Sequence, residues 1–421
     1  MWWKKKINHL PFTEGPYIPG CADVMTEYSR DGCFVRLYYP TSLSHGKNHS
    51  AHWIPWLPHD KYLEGFSRVL QIWKCVIRFF LWLYAGTCYI PVVKHADVRK
   101  DEKLPVIIFS HGLGASRFVY SVVCTELASH GDKSSCATFY YKNEERFTES
   151  SPSWLNFKVI RFGSGHFTAR KKQVSKRVEE CKKVIELMEN LNSGSSIVNV
   201  LHTNFNLSQF KGRLNLTNMT MMGHSFGGAT ALLALKGDRR LKFGVILDPW
   251  MFPLKEESDL STCIKQPLLF VNTETFHITS NYNALKKYIV TPDGCGERTS
   301  FTIRQTTHES QSDTPHLVGY WLNWKMKKLP PVVASKINNL LILDFYQKHI
   351  GTVFIEGNSS SKLMDHGLLG LMTYYLTFCL EHPLKLVLVL WLLMLFVLED
   401  AQMASQCHSP KEEFPSILAC C

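Results

Sequence analysis

An α/β fold, with a mostly parallel central sheet and helices on both of its faces, is what this 421-residue chain predicts. Three observations carry that expectation. Short apolar runs of strand length alternate with longer segments of helical periodicity. One glycine-flanked serine stands where such a run gives way to a helix. The composition is that of a globular protein, 45% hydrophobic and 20% charged, with no collagen-like or disordered bias. Alternation of this kind needs crossover connections, and those put helices on both faces of a parallel sheet.

Residues 34–39 read as a strand stopped by Pro40. Residues 66–85 read as one strongly apolar helix. Apart from Arg68, its polar residues Ser67, Gln71, Lys74 and Arg78 recur at helical spacing and leave a wide apolar arc with Trp73, Phe79, Phe80 and Trp82. Two readings of that arc stand side by side, packing into the core and lying in a lipid interface. Residues 105–109 read as a buried strand and 119–130 as a helix ended by Gly131. A long helix follows over 173–191, and the basic stretch 170–183 is its solvated face, alternating with Val174, Val178 and Cys181. Then come a strand over 219–222, a glycine turn, a helix over 229–235, and further strands over 243–247, 267–272 and 300–304.

Residues 1–357 form the expected catalytic domain and 358–421 a tail of different character. Two apolar runs in the tail, 367–380 and 384–398, are separated by Glu381, His382 and Pro383. Each is shorter than the roughly 20 residues a spanning helix needs, and together they exceed it. One kinked span, a re-entrant hairpin and an interfacial helix all fit; a soluble core helix fits less well, because only Lys385 interrupts the second run. Cys420 and Cys421 are candidates for acylation.

The net charge of +11 suits an anionic surface, but no nucleic-acid motif accompanies it, so no nucleic-acid partner is expected. Thirteen scattered cysteines without a C-x-x-C pair argue against a disulfide framework and a zinc site. Neither a metal nor a cofactor is expected. The N-terminus, M-W-W-K-K-K-I-N-H-L, lacks the apolar core of a secretory signal, and Trp2 excludes N-myristoylation. Sequons at Asn48, Asn206, Asn215, Asn218 and Asn358 matter only on the secretory route. Membrane association is the expectation, with the compartment open.

The chemistry concentrates at Gly223-His224-Ser225-Phe226-Gly227-Gly228. With a strand before it and a helix after it, this is the G-x-S-x-G elbow of the α/β-hydrolase fold. The serine sits on a sharp strained turn, so neighbours two residues away must be nearly free of side chain. A hydroxyl is a poor nucleophile until a base takes its proton and an acid orients the base. In this fold the chain order is serine, acid, histidine. Asp248 directly follows the strand 243–247, while Asp259 and Glu256 are rivals from a polar loop. His308 follows the last strand by a short loop, with His277 and His316 as alternatives. Two preorganised N–H groups must receive the oxyanion. Phe226 supplies one, and Leu113, in Ser110-His111-Gly112-Leu113-Gly114, the other.

Taken together these residues resemble the platelet-activating factor acetylhydrolase family, the group VII phospholipases A2. The matching stretches are Gly15-Pro16-Tyr17, Gly20-Cys21-Ala22-Asp23-Val24-Met25, FVRLYYP over 34–40 and Trp53-Ile54-Pro55. They continue with FSHGLG over 109–114, ELASHG over 126–131, GHSFGGAT over 223–230, Trp250-Met251-Phe252-Pro253-Leu254 and Gln347-Lys348-His349. Ser153 and Trp154 are more similar to the plasma type than to the cytosolic one. The resemblance implies a calcium-independent esterase that removes an sn-2 acetyl, short or oxidised acyl group from phospholipids, leaving lyso-lipid and carboxylate. It implies Ser225 as nucleophile, Asp248 as acid, His308 as base, and Leu113 and Phe226 as oxyanion donors. It also implies that the helix around 66–85 docks on lipoprotein or membrane; members of the family are secreted or cytoplasmic.

Four departures stand out. Pro249 follows Asp248 where the family has alanine, and Thr306-Thr307 precede His308 where it has serine-valine. The family continues ELASHG with a hydrophobic strand and an E-H-R-D segment. Here Gly131 runs straight into Asp132-Lys133-Ser134-Ser135, so one strand is missing after Gly131. The apolar tail has no family counterpart. Beside the esterase stand two alternatives, a catalytically impaired membrane-associated variant and a generic lipase or esterase of the same fold.

Overall fold

A computed structural model describes residues 8–29, 31–129, 139–141, 152–155, 157, 160, 163–276, 278–319 and 328–351. The tail 358–421 with its apolar runs, the residues directly after Gly131, and His277 lie outside the described residues.

Seven strands of six or more residues stand among the described residues: β1 (Pro19–Met25), β2 (Phe34–Pro40), β3 (Leu104–Ser110), β4 (Leu214–His224), β5 (Leu241–Leu247), β6 (Leu268–Thr273) and β7 (Arg298–Ile303). The last five form one sheet in the order β7-β6-β5-β4-β3, every neighbouring pair parallel. Successive side chains of a strand point to opposite faces, and both faces of this sheet are covered. Ile108, Met221, Ile246 and Phe270 pack into a core with α4 (His166–Ser193) and α5 (Phe226–Gly237). Phe109, Met222, Val245 and Val271 pack on the other side with α3 (Ser121–Ser129) and α6 (Pro331–Ile350). Burial on both faces is why these strands read as continuous apolar runs.

The strand expected over 219–222 reaches back to Leu214, which pairs with Leu104 before the register shifts ahead of Thr220. β1 and β2 pair antiparallel from Pro19↔Pro40 to Met25↔Phe34, and β1 also pairs Val93–Lys94. This small sheet is separate from the large one. Among the described residues no ladder joins β2 to β3, although all seven residues of each strand are buried. Phe139–Tyr140 pairs with Ser153–Trp154 instead, and the Phe139 ring meets Phe34 edge-on at 4.9 Å.

The single helix expected over 66–85 is two helices, α1 (Lys61–Leu70) and α2 (Lys74–Tyr84). Gln71 is left-handed, with φ 56° and ψ 32°, which ends α1 as a C-cap does. The Ser67 hydroxyl donates to the Ile72 carbonyl at 2.6 Å and secures the break. Ion pairs then hold the hairpin, Lys74 to Glu64 at 3.1 Å and Arg78 to Asp60. Trp73 and Trp82 are 79% and 66% exposed, whereas Phe79 and Phe80 are half-buried. Among the described residues no helix is long and apolar enough to cross a membrane.

Candidate active site

β4 ends at His224, α5 begins at Phe226, and Ser225 between them has φ 58° and ψ −119°. A non-glycine residue held in such a region costs about 1–3 kcal/mol. Hydrogen bonds on both sides of the turn hold it, Ser225 N–H to the Leu247 carbonyl at 2.9 Å and Trp250 N–H to the Ser225 carbonyl at 3.0 Å. The glycines are needed for close approach. A Cβ on Gly227 would stand 1.9 Å from the Ser110 carbonyl oxygen, and one on Gly223 would stand 2.1 Å from that of Gly227. A Cβ on Gly112 would lie 3.4 Å from the Ser225 Cβ, so the loop after β3 abuts the Ser225 turn.

Asp248 sits at the carboxyl end of β5 with φ 42° and is almost fully buried. Its Oδ1 accepts the Thr273 N–H at 2.8 Å. Its Oδ2 accepts the Thr273 hydroxyl and faces His308 Nδ1 at 2.9 Å. His308 opens the turn His308–Gln311, where Thr307 and Ser310 form a reciprocal capping box. The Phe276 ring stacks on the imidazole at 3.8 Å between centroids, and the His224 ring lies 4.4 Å away. Burial pushes the His308 pKa down to about 4, opposed by the Glu309 carboxylate, so the ring is neutral at pH 7.

Three of the rivals, His316, Asp259 and Glu256, lie among the described residues. His316 lies in the short helix Thr314–Val318, and its buried Nε2 has no hydrogen-bond partner among the described residues. Asp259 is exposed and pairs with Lys236 at 3.2 Å, and Glu256 pairs with Lys171 at 3.0 Å. The polar atoms of His224, Asp248 and His308 lie within 4.8 Å of one another. Using them as metal ligands would break the bonds that tie Asp248 to Thr273 and His308. Phe226 is the first helical residue, so its N–H has no intrahelical acceptor. Leu113 lies partly buried in the facing loop, packed against the core. A cavity of about 230 Å³, lined by Met25, Phe34, Phe139 and residues of α4, lies apart from these groups.

Sequence reasoning did not find Thr273, although it ends the strand beside β5, which is a readable signal. Nor did it find Asp313, five residues beyond His308 and fully buried. The Asp313 carboxylate accepts Trp56 Nε1–H at 2.9 Å and the N–H groups of Ser121 and Val122 at 2.8 Å, capping α3. Burial pushes its pKa up to about 7, against those donors.

A parallel sheet covered on both faces, with a serine on a strand-to-helix elbow and an aspartate and histidine at later strand ends, defines an α/β-hydrolase. A solved ferulic acid esterase from Streptomyces cinnamoneus shares that fold, with TM-score 0.54 and 15% identity over 84% of this chain and 97% of its own. Residues 3–368 match the family model described as "Platelet-activating factor acetylhydrolase, isoform II". The chain belongs to the platelet-activating factor acetylhydrolase family and is a hydrolase of that family. The platelet-activating factor acetylhydrolase of Bos taurus is 35% identical over 377 residues, 86% of this chain and 82% of its own. That of Canis lupus familiaris is 36% identical over 357 residues, 82% of this chain and 78% of its own. A putative phospholipase A2 of Schizosaccharomyces pombe is 24% identical over 388 residues, 78% of this chain and 86% of its own.

Thr273→Val removes one donor to the buried Asp248 carboxylate and keeps the backbone N–H. A hydrogen bond to a charged group contributes about 1.5–3 kcal/mol. Urea unfolding at neutral pH should show a loss of that size, and an unchanged midpoint would contradict the geometry.

Proposed function

We propose that this chain is a calcium-independent serine esterase. It hydrolyses the sn-2 acetyl, short or oxidised acyl ester of phospholipids related to platelet-activating factor. The observations that carry the reading are the His308–Asp248 contact at 2.9 Å and a serine on a strained elbow. The named activity of the relatives supports the substrate class. In this mechanism Ser225 Oγ attacks the ester carbonyl carbon and passes its proton to His308 Nε2. Asp248, at Nδ1, stabilises the imidazolium that forms. The N–H groups of Leu113 and Phe226 receive the charge on the carbonyl oxygen. The C–O bond breaks, the lyso-lipid oxygen takes the proton from His308, and the acyl group stays on Ser225. Water then attacks the acyl carbon and gives its proton to His308; the bond to Ser225 Oγ breaks, Oγ takes that proton back, and the carboxylate leaves.

The separation of β2 from β3 supports a second reading, in which the same site works at reduced rate. One assay addresses both. Ser225→Ala should lower turnover of an acetyl phosphocholine lipid by about 10⁴–10⁶-fold and abolish labelling by a fluorophosphonate probe. The parent chain should label and turn over equally well in EDTA. More than a tenth of parental turnover in Ser225→Ala would sink the assignment. Poor labelling of the parent would favour the impaired variant, and loss on chelation reversed by calcium would refute metal independence.

The base must be neutral to accept a proton, and burial lowers its pKa from 6.5 to about 4. Activity is therefore present above that value and lost as pH falls through it. The acid limb of kcat/KM should lie below 6.5; a limb above 7 would contradict a desolvated His308.

We also propose that Trp73, Phe79, Phe80 and Trp82 meet a membrane or lipoprotein surface, supported by the exposure of both tryptophans. The tail beyond residue 357 is a second proposed membrane contact. Replacing Trp73 and Trp82 with alanine in a chain ending at Gly351 should weaken co-sedimentation with phosphatidylcholine vesicles several-fold. Unchanged binding would remove the hairpin from the proposal.

A further inference from the structure

Resting on that reading, we propose that Tyr120 is a positioning residue: its hydroxyl locks the oxyanion loop at Gly112 to His224, beside the nucleophile, and so aims the Leu113 N–H. Tyr120 is buried in the turn before α3, its ring 4.8 Å from that of Phe109. Its oxygen accepts the Gly112 N–H at 3.0 Å and stands 2.8 Å from His224 Nδ1. A phenol has one proton to give. With Gly112 donating to the oxygen, that proton goes to Nδ1, and His224 is held as the tautomer protonated at Nε2. Burial also pushes the His224 pKa well below 6.5, which keeps the ring neutral and Nδ1 free to accept.

The Leu113 N–H belongs to the same planar peptide as the Gly112 carbonyl, and in a trans peptide the two point in opposite directions. That carbonyl is held from one side by Ala115 N–H at 3.2 Å and by His111 Nδ1–H at 2.8 Å. Rotation about Gly112 is the remaining freedom, and a glycine resists it least of all residues. The Tyr120 hydroxyl removes it by fixing the peptide on the other side. The loop thus enters the reaction with its donor already oriented, and that preorganisation is the source of oxyanion stabilisation.

The test is Tyr120→Phe, which removes one oxygen atom. Loss of one oxyanion donor costs about 10²–10³-fold in kcat, and partial disorientation should cost about 10–100-fold. KM for an acetyl phosphocholine lipid should stay within about threefold, and the rate of fluorophosphonate labelling should fall with kcat, because its phosphoryl oxygen occupies the same position. Gly112→Ala attacks the bond from the opposite side, since its Cβ would stand 2.8 Å from the Tyr120 oxygen. It should lower kcat likewise and add little to Tyr120→Phe in the double variant. A soluble Tyr120→Phe with kcat within twofold of the parent overturns the proposal. If that variant does not fold, an unimpaired Gly112→Ala overturns it as well. Ser225→Ala run alongside separates the two levels: persistent hydrolysis there overturns both readings, whereas an inactive Ser225→Ala with a full-rate Tyr120→Phe overturns only this one.

Discussion

Three backbone segments meet at close quarters, one pair of them with no room for a Cβ, and the rest of the site depends on that contact. The α5 backbone at Gly227 touches the carbonyls of Ser110 and His111, and Gly228 packs on Pro249, 3.0 Å from where its Cβ would be. One crossing therefore brings together the elbow after β4, the loop after β3 and the loop after β5. Side chains adjust by rotation, but backbone against backbone adjusts only by moving whole elements. The relative positions of Ser225, Leu113 and Asp248 are set by the packing of the sheet itself.

The histidine loop is attached differently, through a buried carboxylate. Asp313 takes two N–H groups at the start of α3 and the Trp56 indole, and its own N–H donates to the Val119 carbonyl at 2.8 Å. Residues 119–122 therefore hold the loop of His308 through Asp313, and Gly112 and His224 through Tyr120. Two of the family departures fit this arrangement. Thr307 supplies the cap that closes the His308 turn. The Pro249 carbonyl is held by the Asn281 side chain at 3.0 Å, so the loop of Asp248 is fixed without an N–H from residue 249.

The parts legible in the sequence are those set by local pattern. Five parallel strands buried on both faces announce themselves as apolar runs, and their positions agree with the structure to within a residue or two except for β4. Ser225 is legible because the glycines that make room for the turn are its neighbours in the chain. Asp248 and His308 are legible as residues just past strand ends. What escaped is what distance in the chain conceals. Tyr120 lies 104 residues from His224 and Asp313 192 from Ser121, and no periodicity joins them. Gln71 hides for another reason: in the pattern it belongs to the polar stripe of one long helix, whereas its left-handed backbone divides two. The departure after ELASHG is legible only against the family, and the residues that would carry it lie outside the described residues.

Ser225 and Asp248 share a property that bears on how this chain can change. Both are non-glycine residues with positive φ, at 58° and 42°. Glycine would occupy either position with less strain. Each such torsion costs the fold about 1–3 kcal/mol, out of the roughly 5–15 kcal/mol that a domain has in all. The most direct routes to a more robust fold therefore run through the two side chains on which ester hydrolysis is proposed to rest. Selection for robustness alone would therefore act first against the two side chains that the proposed chemistry needs.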